Sequence, residues 1–367
     1  MTFSADPVFL YVMQALVTGG TGFVGSHLIE SLIDSGHEVR ALVRPSSDSS
    51  LIRSLGAEVV IGELDDEAAL KKACRGIDVV YHAAARVEFT GTEEEFNQIT
   101  VMGTREVVRA ANEAGVGRFV YVSSCGVYHP RLFASGMVID ESTPALEPPR
   151  WFIYGRAKHR AERVVIEQSR CEWVIIRLAY VYGPRDRTMR AYLEPVLNDD
   201  IMMLVGDGQN ELAMIYVTDA ALATMLAGIV PEAASQILVA GSDERVTQQQ
   251  YFDALADGFG VPHVTKKVPY GIAFFFGWLG EMLFRSEPRR TALRRSAIVL
   301  TGLPQRIRCE KTQEILNWRP ETQFAEGMRK AFEWYHAELG TGKAEAAAPS
   351  GRAIGVPHSG QTADSSL

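Results

Sequence analysis

The sequence predicts an α/β protein: a doubly wound parallel sheet, covered by helices on both faces, with a smaller C-terminal lobe. Two observations carry this. Short apolar, β-rich runs recur through the first half of the chain with helical patterns between most of them. The first run, Ala15-Leu16-Val17, passes straight into Thr18-Gly19-Gly20-Thr21-Gly22-Phe23-Val24-Gly25, a glycine turn that opens a helical pattern reaching about Ser35. In a strand-turn-helix context this spacing is the Rossmann fingerprint. Gly19 takes the tight turn, Gly22 lets backbone approach a pyrophosphate, Gly25 lets the helix pack close, and the helix N-terminus faces the phosphates. The 367 residues, 47% hydrophobic and 22% charged, suffice for one large domain with an appendage.

Along the chain, residues 1–12 read as a loose extension. They have no basic n-region, the apolar Val8 to Met13 is too short for a signal core, and Met13 is a candidate for the true start. Glu38 to Val43 alternates and breaks at Pro45-Ser46-Ser47, giving a second strand that ends at Arg44. Further strands are expected at Glu58 to Ile61, Asp78 to Tyr81, Arg118 to Ser123 and Trp173 to Arg177. Helices are expected over Glu94 to Ala114 and Tyr154 to Gln168. Beyond Gly183-Pro184 the rhythm weakens. A helix returns at Val217 to Ile229, a strand at Gln236 to Val239, and helices at Thr247 to Phe259 and Phe324 to Leu339. The expected division is a dinucleotide-binding domain over 13–184, with 214–240 returning to it, and a substrate-binding lobe over 185–213 and 241–339. The Ala, Ser, Gly and Pro-rich tail over 340–367 is expected to be disordered.

The net charge of −8 gives no basic footprint for nucleic acid. Cys74, Cys125, Cys171 and Cys309 are scattered without metal-ligand spacing, which favours reduced thiols, no metal site and a cytoplasmic location.

Tyr154-Gly155-Arg156-Ala157-Lys158 places a phenol and an ammonium four residues apart on one helix face. A nearby cation stabilises phenolate and is expected to draw Tyr154 below its ordinary pKa of about 10, toward acid-base work. Ser123-Ser124-Cys125-Gly126-Val127-Tyr128 follows the strand Phe119 to Val122, and strand C-termini in open α/β sheets are where ligands sit.

With Tyr81-His82-Ala83-Ala84 and Arg177 to Pro184, these motifs resemble the extended short-chain dehydrogenase/reductase family, over roughly Gln14 to Leu339. The resemblance implies that Ser124, rather than Ser123, is the catalytic hydroxyl and that Tyr154 is the general acid/base. Lys158 would lower the Tyr154 pKa and hold the nicotinamide ribose. It implies cofactor contacts from Gly19, Thr21, Gly22, Phe23, Val24 and Gly25, from Glu63 and Leu64 beside adenine, and from Ala83, Ala84, Ala85, Tyr154, Lys158 and Ala179. Three positions depart from the family pattern. Gly62-Glu63-Leu64 replaces Gly-Asp-apolar, Thr100 stands where asparagine is usual, and Leu178 follows Arg177 in place of proline. His82 lies in a strand-end segment, where a structural role outweighs a catalytic one. Cys125 has no evident cationic partner and reads as inert.

Arg44 at the end of the second strand replaces the acid that would bind the ribose of NAD, so NADP is the expected cofactor, with NAD the alternative. Leu212-Ala213 stands after Gly206-Asp207-Gly208, where nucleotide-sugar enzymes of the family often carry an Arg-Asp pair. The C-terminal segment instead resembles the 3β-hydroxysteroid dehydrogenase branch, through Val268-Pro269-Tyr270, the apolar run to Phe284, and Leu316 to Pro320. Val39 to Arg44 is similar to the flavonoid-reductase branch. An oxidoreductase interconverting a secondary alcohol and a ketone on a small hydrophobic, steroid-like substrate is the leading expectation. A nucleotide-sugar epimerase or dehydratase is the alternative, and would need another anion clamp such as Arg185 or Arg187. A non-catalytic NADP sensor is the third reading. Tyr270 to Phe284 is expected to be an apolar helix over the substrate mouth. With the arginines that follow up to 295, it would either touch a membrane peripherally or pack in the lobe or a homodimer.

Overall fold

The computed structural model describes residues 12–87, 91–186, 203–283 and 294–340. Most of the N-terminal extension, most of the expected disordered tail, Arg187, and the arginines at 285, 289 and 290 lie outside them.

Seven strands build the central sheet: β1 (Gln14–Thr18), β2 (Glu38–Val43), β3 (Glu58–Ile61), β4 (Val79–His82), β5 (Arg118–Ser124), β6 (Glu172–Leu178) and β7 (Gln236–Ala240). Their order is β7-β6-β5-β4-β1-β2-β3, and every neighbouring pair is parallel. The doubly wound expectation is borne out. The chain reverses direction across the sheet between β1 and β4, where Thr18 sits opposite His82, and a crevice opens at such a switch point.

Strand residues alternate between two apolar layers, so both faces are buried. Ala15 and Val17 join Leu28, Ile29 and Leu32 of helix α1 (Phe23–Asp34) and Ala221 and Met225 of another helix, Val217–Ile229. Leu16 faces the opposite layer, with Leu70 of α2 (Glu67–Cys74), Val107 and Ala111 of α3 (Gly103–Ala114), and Ala161 and Val165 of α4 (Ile153–Gln168). In this numbering Val217–Ile229 is α5.

The expected single helix from Glu94 to Ala114 is divided. A turn at Glu93–Phe96 runs into a wide π-type turn at Asn97–Met102 before α3 begins. The widened segment ends at Gly103, where an added Cβ would stand 2.7 Å from the Leu64 side chain, so the helix is pressed onto the segment after β3. The smaller C-terminal lobe is held by a second core. Tyr251, Phe252 and Leu255 of α6 (Gln248–Phe259) meet Met328 and Phe332 of the last helix, Phe324–Gly340. Between these two helices lie α7 (Tyr270–Leu283) and α8 (Arg295–Gly302).

Candidate active site

The glycine turn is shaped by close approach. Gly19 has φ +73°, and a Cβ there would lie 2.6 Å from the backbone nitrogen of Ala84. A Cβ on Gly25 would lie 2.2 Å from the Gly19 carbonyl oxygen, so only glycine lets α1 start this close to the turn. Gly22 is the N-cap of α1, and no side chain caps it, which leaves first-turn N–H groups directed at the crevice. Thr21, Phe23 and Val24 are half-buried around this opening. The uncapped cradle fits a pyrophosphate.

The opposite wall is fixed by a buried polar chain. The Ala83 N–H donates to the Thr18 carbonyl at 3.1 Å, and the Ala84 N–H donates to Thr18 Oγ1 at 3.4 Å. Thr18 Oγ1 lies 2.6 Å from His82 Nδ1, and His82 Nε2 lies 2.9 Å from Thr104 Oγ1, whose own proton goes to the Thr100 carbonyl. Thr104 therefore accepts from Nε2, and Nδ1 accepts from Thr18. Burial, helped by the charge on Lys158, pushes the His82 imidazole down to about 3. His82 is a neutral strut that ties β1, β4 and α3 together. Ala84 and Ala85 are half-buried along this wall.

On the adenine side, Arg44 is exposed at the end of β2. The Gly62 N–H donates to the Val43 carbonyl at 3.0 Å, which brings the exposed Glu63 to the same rim. Leu64 packs against Gly103. Ala179 is buried, donates its N–H to the Ala240 carbonyl at 2.9 Å, and lies against Gly241.

Ser124 ends β5 and Tyr154 begins α4, and the structure brings them together. Ser124 Oγ accepts the Gly126 N–H at 3.1 Å, and both this oxygen and the Tyr154 ring stand 3.4 Å from where a Cβ on Gly126 would lie. Gly155 permits this approach, since a Cβ there would stand 2.1 Å from the Gly126 carbonyl oxygen. Ser123 points the other way and donates to buried Glu162 at 2.6 Å. Lys158, only 3% exposed, donates from Nζ to the Val122 carbonyl at 2.7 Å, with Nζ 4.7 Å from the centre of the Tyr121 ring.

One expectation is corrected here. Lys158 does not draw the phenol down: burial raises the Tyr154 pKa, with the Ser124 hydroxyl opposing it. Burial also takes Lys158 itself down to about 7, against the attraction of Glu162. Desolvation disfavours both charged forms, and the ammonium is directed at a carbonyl and an aromatic face.

Behind the pair lies a network the sequence reading did not single out. Arg177 Nε and Nη2 donate to Glu162 at 2.9 and 2.8 Å, and Nη1 donates to the Tyr128 hydroxyl at 2.9 Å. Glu162 was visible in principle: Tyr154, Lys158 and Glu162 are spaced four and four along one face of α4. Cys125 is buried beside Ser124, and burial pushes its thiol up to about 12, which makes it inert. Arg185, considered as an anion clamp, is paired with Glu30, Nη1 to Oε1 at 3.1 Å. Arg187 lies outside the described residues. The four cysteines are free thiols, and the described residues contain no His/Cys/Asp/Glu group that could hold a metal.

Fold and glycine turn together have the layout of a nicotinamide-dinucleotide-dependent enzyme. The family model of the NAD dependent epimerase/dehydratase family matches residues 15–241. The chain belongs to that family. It is 28% identical over 332 residues to a 2-alkyl-3-oxoalkanoate reductase of Stenotrophomonas maltophilia, covering 87% of this chain and 98% of the relative. It is 35% identical over 215 residues to a 3 beta-hydroxysteroid dehydrogenase/Delta 5-->4-isomerase of Mycobacterium tuberculosis, covering 56% and 57%. The crystal structure of gox2253 superposes with a TM-score of 0.72 at 28% identity, covering 88% of this chain and 98% of that one. The resemblance to extended short-chain dehydrogenases near the 3β-hydroxysteroid branch is borne out.

Proposed function

We propose that the protein interconverts a secondary alcohol and a ketone on a hydrophobic substrate, using NADP(H), with Ser124, Tyr154 and Lys158 handling the proton. The observation that carries this is the meeting of Ser124 and Tyr154 against Gly126 at the end of β5, with buried Lys158 one helical turn on, in a fold that also carries the uncapped glycine cradle. Gly19, Thr21, Gly22, Phe23, Val24 and Gly25 would hold the pyrophosphate. Arg44 would meet the 2′-phosphate, and Glu63 and Leu64 would flank adenine. Ala83, Ala84, Ala85 and Ala179 would line the groove toward the nicotinamide, whose ribose Tyr154 and Lys158 would hold. The cofactor, when bound, supplies or takes the hydride. In the reducing direction Tyr154 Oη gives its proton to the carbonyl oxygen, and Ser124 Oγ holds that oxygen in place. In the oxidising direction Tyr154 takes the alcohol proton. Lys158, held by the Val122 carbonyl, would reach the nicotinamide ribose from beneath Tyr154.

An apolar substrate is supported by the buried Leu212 and Ala213, where a diphosphate would need cations, and by the pairing of Arg185 with Glu30. The printed names of the two relatives, an oxoalkanoate reductase and a hydroxysteroid dehydrogenase, agree with it. The test is a panel of sterols, long-chain β-keto compounds and nucleotide sugars, followed by nicotinamide absorbance. On the best substrate Tyr154→Phe lowers kcat by about a hundredfold to ten-thousandfold and leaves the cofactor Kd nearly unchanged. Near-normal turnover by Tyr154→Phe removes the proposed relay, and turnover of nucleotide sugars alone removes the substrate class.

A further inference from the structure

Helix α7 is amphipathic in the inverted sense. Ile272, Phe275, Phe276, Trp278, Met282 and Leu283 are exposed, Phe276 at 55% and Leu283 at 61%. These positions recur three and four apart, so most share one face, and that face carries no charged residue. The only charged side chain of the helix, Glu281, is turned inward and takes Arg295 Nε at 2.8 Å, while the Arg295 guanidinium lies 4.9 Å from the centre of the Trp151 ring. The inner face is anchored by Ala273 and Gly277, both buried, and by Phe274 edge-on to Trp151 at 5.6 Å. Such a face is the reverse of what water selects on a surface helix.

We propose that this face docks on an anionic lipid bilayer. The chain carries a net charge of −8, yet the described residues on and beside α7 carry Lys266, Lys267, Arg294 and Arg295 against Glu281 alone. Lys266 and Lys267 are exposed immediately before α7. A basic, apolar patch on an otherwise acidic protein is complementary to anionic headgroups. It is a poor self-association surface, because a two-fold contact would bring two positive patches together. The helix has 14 residues, about 21 Å at 1.5 Å per residue, and so lies in the interface without crossing the roughly 30 Å hydrocarbon core. Tyr270 and Phe274 also pack on the cluster of Cys125, Val127 and Tyr128 that follows Ser124. Docking therefore sets the catalytic loop one helix layer from the lipid. Delivery of substrate from the bilayer rests on the hydrophobic-substrate reading, whereas docking itself does not.

The experiment is flotation of the full chain, without substrate, on phosphatidylcholine vesicles with or without phosphatidylglycerol, at low and high salt. The protein is expected to float with the anionic vesicles and to be released by salt. F275S/F276S, which removes two half-exposed rings, is expected to weaken partitioning about thirtyfold with no change in oligomeric state by light scattering. K266A/K267A is expected to lower binding to the anionic vesicles about fivefold per lysine. Wild-type protein that stays in the soluble fraction at low salt overturns the proposal. So does an F275S/F276S variant that changes oligomeric state, since the face would then join copies of this chain. Failure to float leaves the reaction assay unaffected, so the two readings fail separately.

Discussion

Replacing Lys158 with methionine should abolish function and stabilise the fold, with a pH dependence that identifies the cause. Burial takes this amine from 10.5 to about 7. At about 1.4 kcal/mol per pH unit, accommodating it at pH 7 costs the folded state about 5 kcal/mol. Methionine keeps most of the stem and removes that penalty, but it leaves the Val122 carbonyl without the donor now at 2.7 Å. An unpaired buried carbonyl costs about 1–3 kcal/mol, so the net gain at pH 7 is about 2–4 kcal/mol. Between about pH 7 and 10.5 the unfolded wild type binds the lysine proton and the folded protein does not, so wild-type stability rises with pH across that window. Lys158→Met lacks this contribution. Its advantage is largest at or below pH 7, shrinks on going alkaline and reverses near pH 10.5, where the neutral amine still serves Val122. Urea unfolding of both proteins without cofactor, at several pH values, measures the difference. A variant less stable than wild type at pH 7, or a difference independent of pH, refutes the reasoning.

Gly25→Ala places a Cβ 2.2 Å from the Gly19 oxygen, so the turn must move; calorimetry should show cofactor binding weakened by about tenfold or more, and an unchanged Kd counts against the cradle. Arg44→Asp should exchange the preference for NADP over NAD; tighter NAD than NADP binding in the unmutated protein would falsify the assignment. Glu162→Gln leaves the Arg177 guanidinium buried without its counter-charge, which should destabilise by about 3–5 kcal/mol. It should also move the Lys158 titration lower, because Glu162 is what holds it up; a pH–rate profile that stays put or shifts upward argues that the carboxylate is only structural.

Much of this architecture was legible because strands buried on both faces must be short, continuous apolar runs. Phe119 to Val122 and Val174 to Ile176 show it. The start of β4 was misplaced by one residue. Asp78 is strand-like in pattern and its N–H still donates to the Gln14 carbonyl, but its carboxylate takes the Gln14 N–H at 2.7 Å and the paired register begins at Val79. The widened turn at Asn97–Met102 was not legible: no local pattern marks it, and Gly103, where it ends, sits against Leu64, a residue far away in sequence. Ser124 could be placed at a strand end, and strand alternation turns it away from Ser123; what was not legible is that Glu162 holds the neighbouring hydroxyl. For α7 the composition disclosed an apolar helix. That its bulky residues face outward while Glu281 faces inward follows from Trp151 and Arg295, which only the fold brings together.

The relation between Tyr154 and Lys158 shows where spacing stops being informative. Four residues on a helix fix the distance between Cβ atoms and leave the direction of a flexible ammonium open. Here the direction is set by the Val122 carbonyl and the Tyr121 ring, and the sign of both shifts is set by burial. The phenol, raised above its ordinary value of 10, is protonated throughout the neutral range. On the proposed reading, a protonated Tyr154 is ready to give a proton to a carbonyl oxygen. To accept one from an alcohol it must first lose its own, and Lys158 near neutrality offers little fixed charge to drive that loss. If the proposed relay is right, this chain's residues favour ketone reduction at neutral pH, and alcohol oxidation is the direction that gains as pH rises.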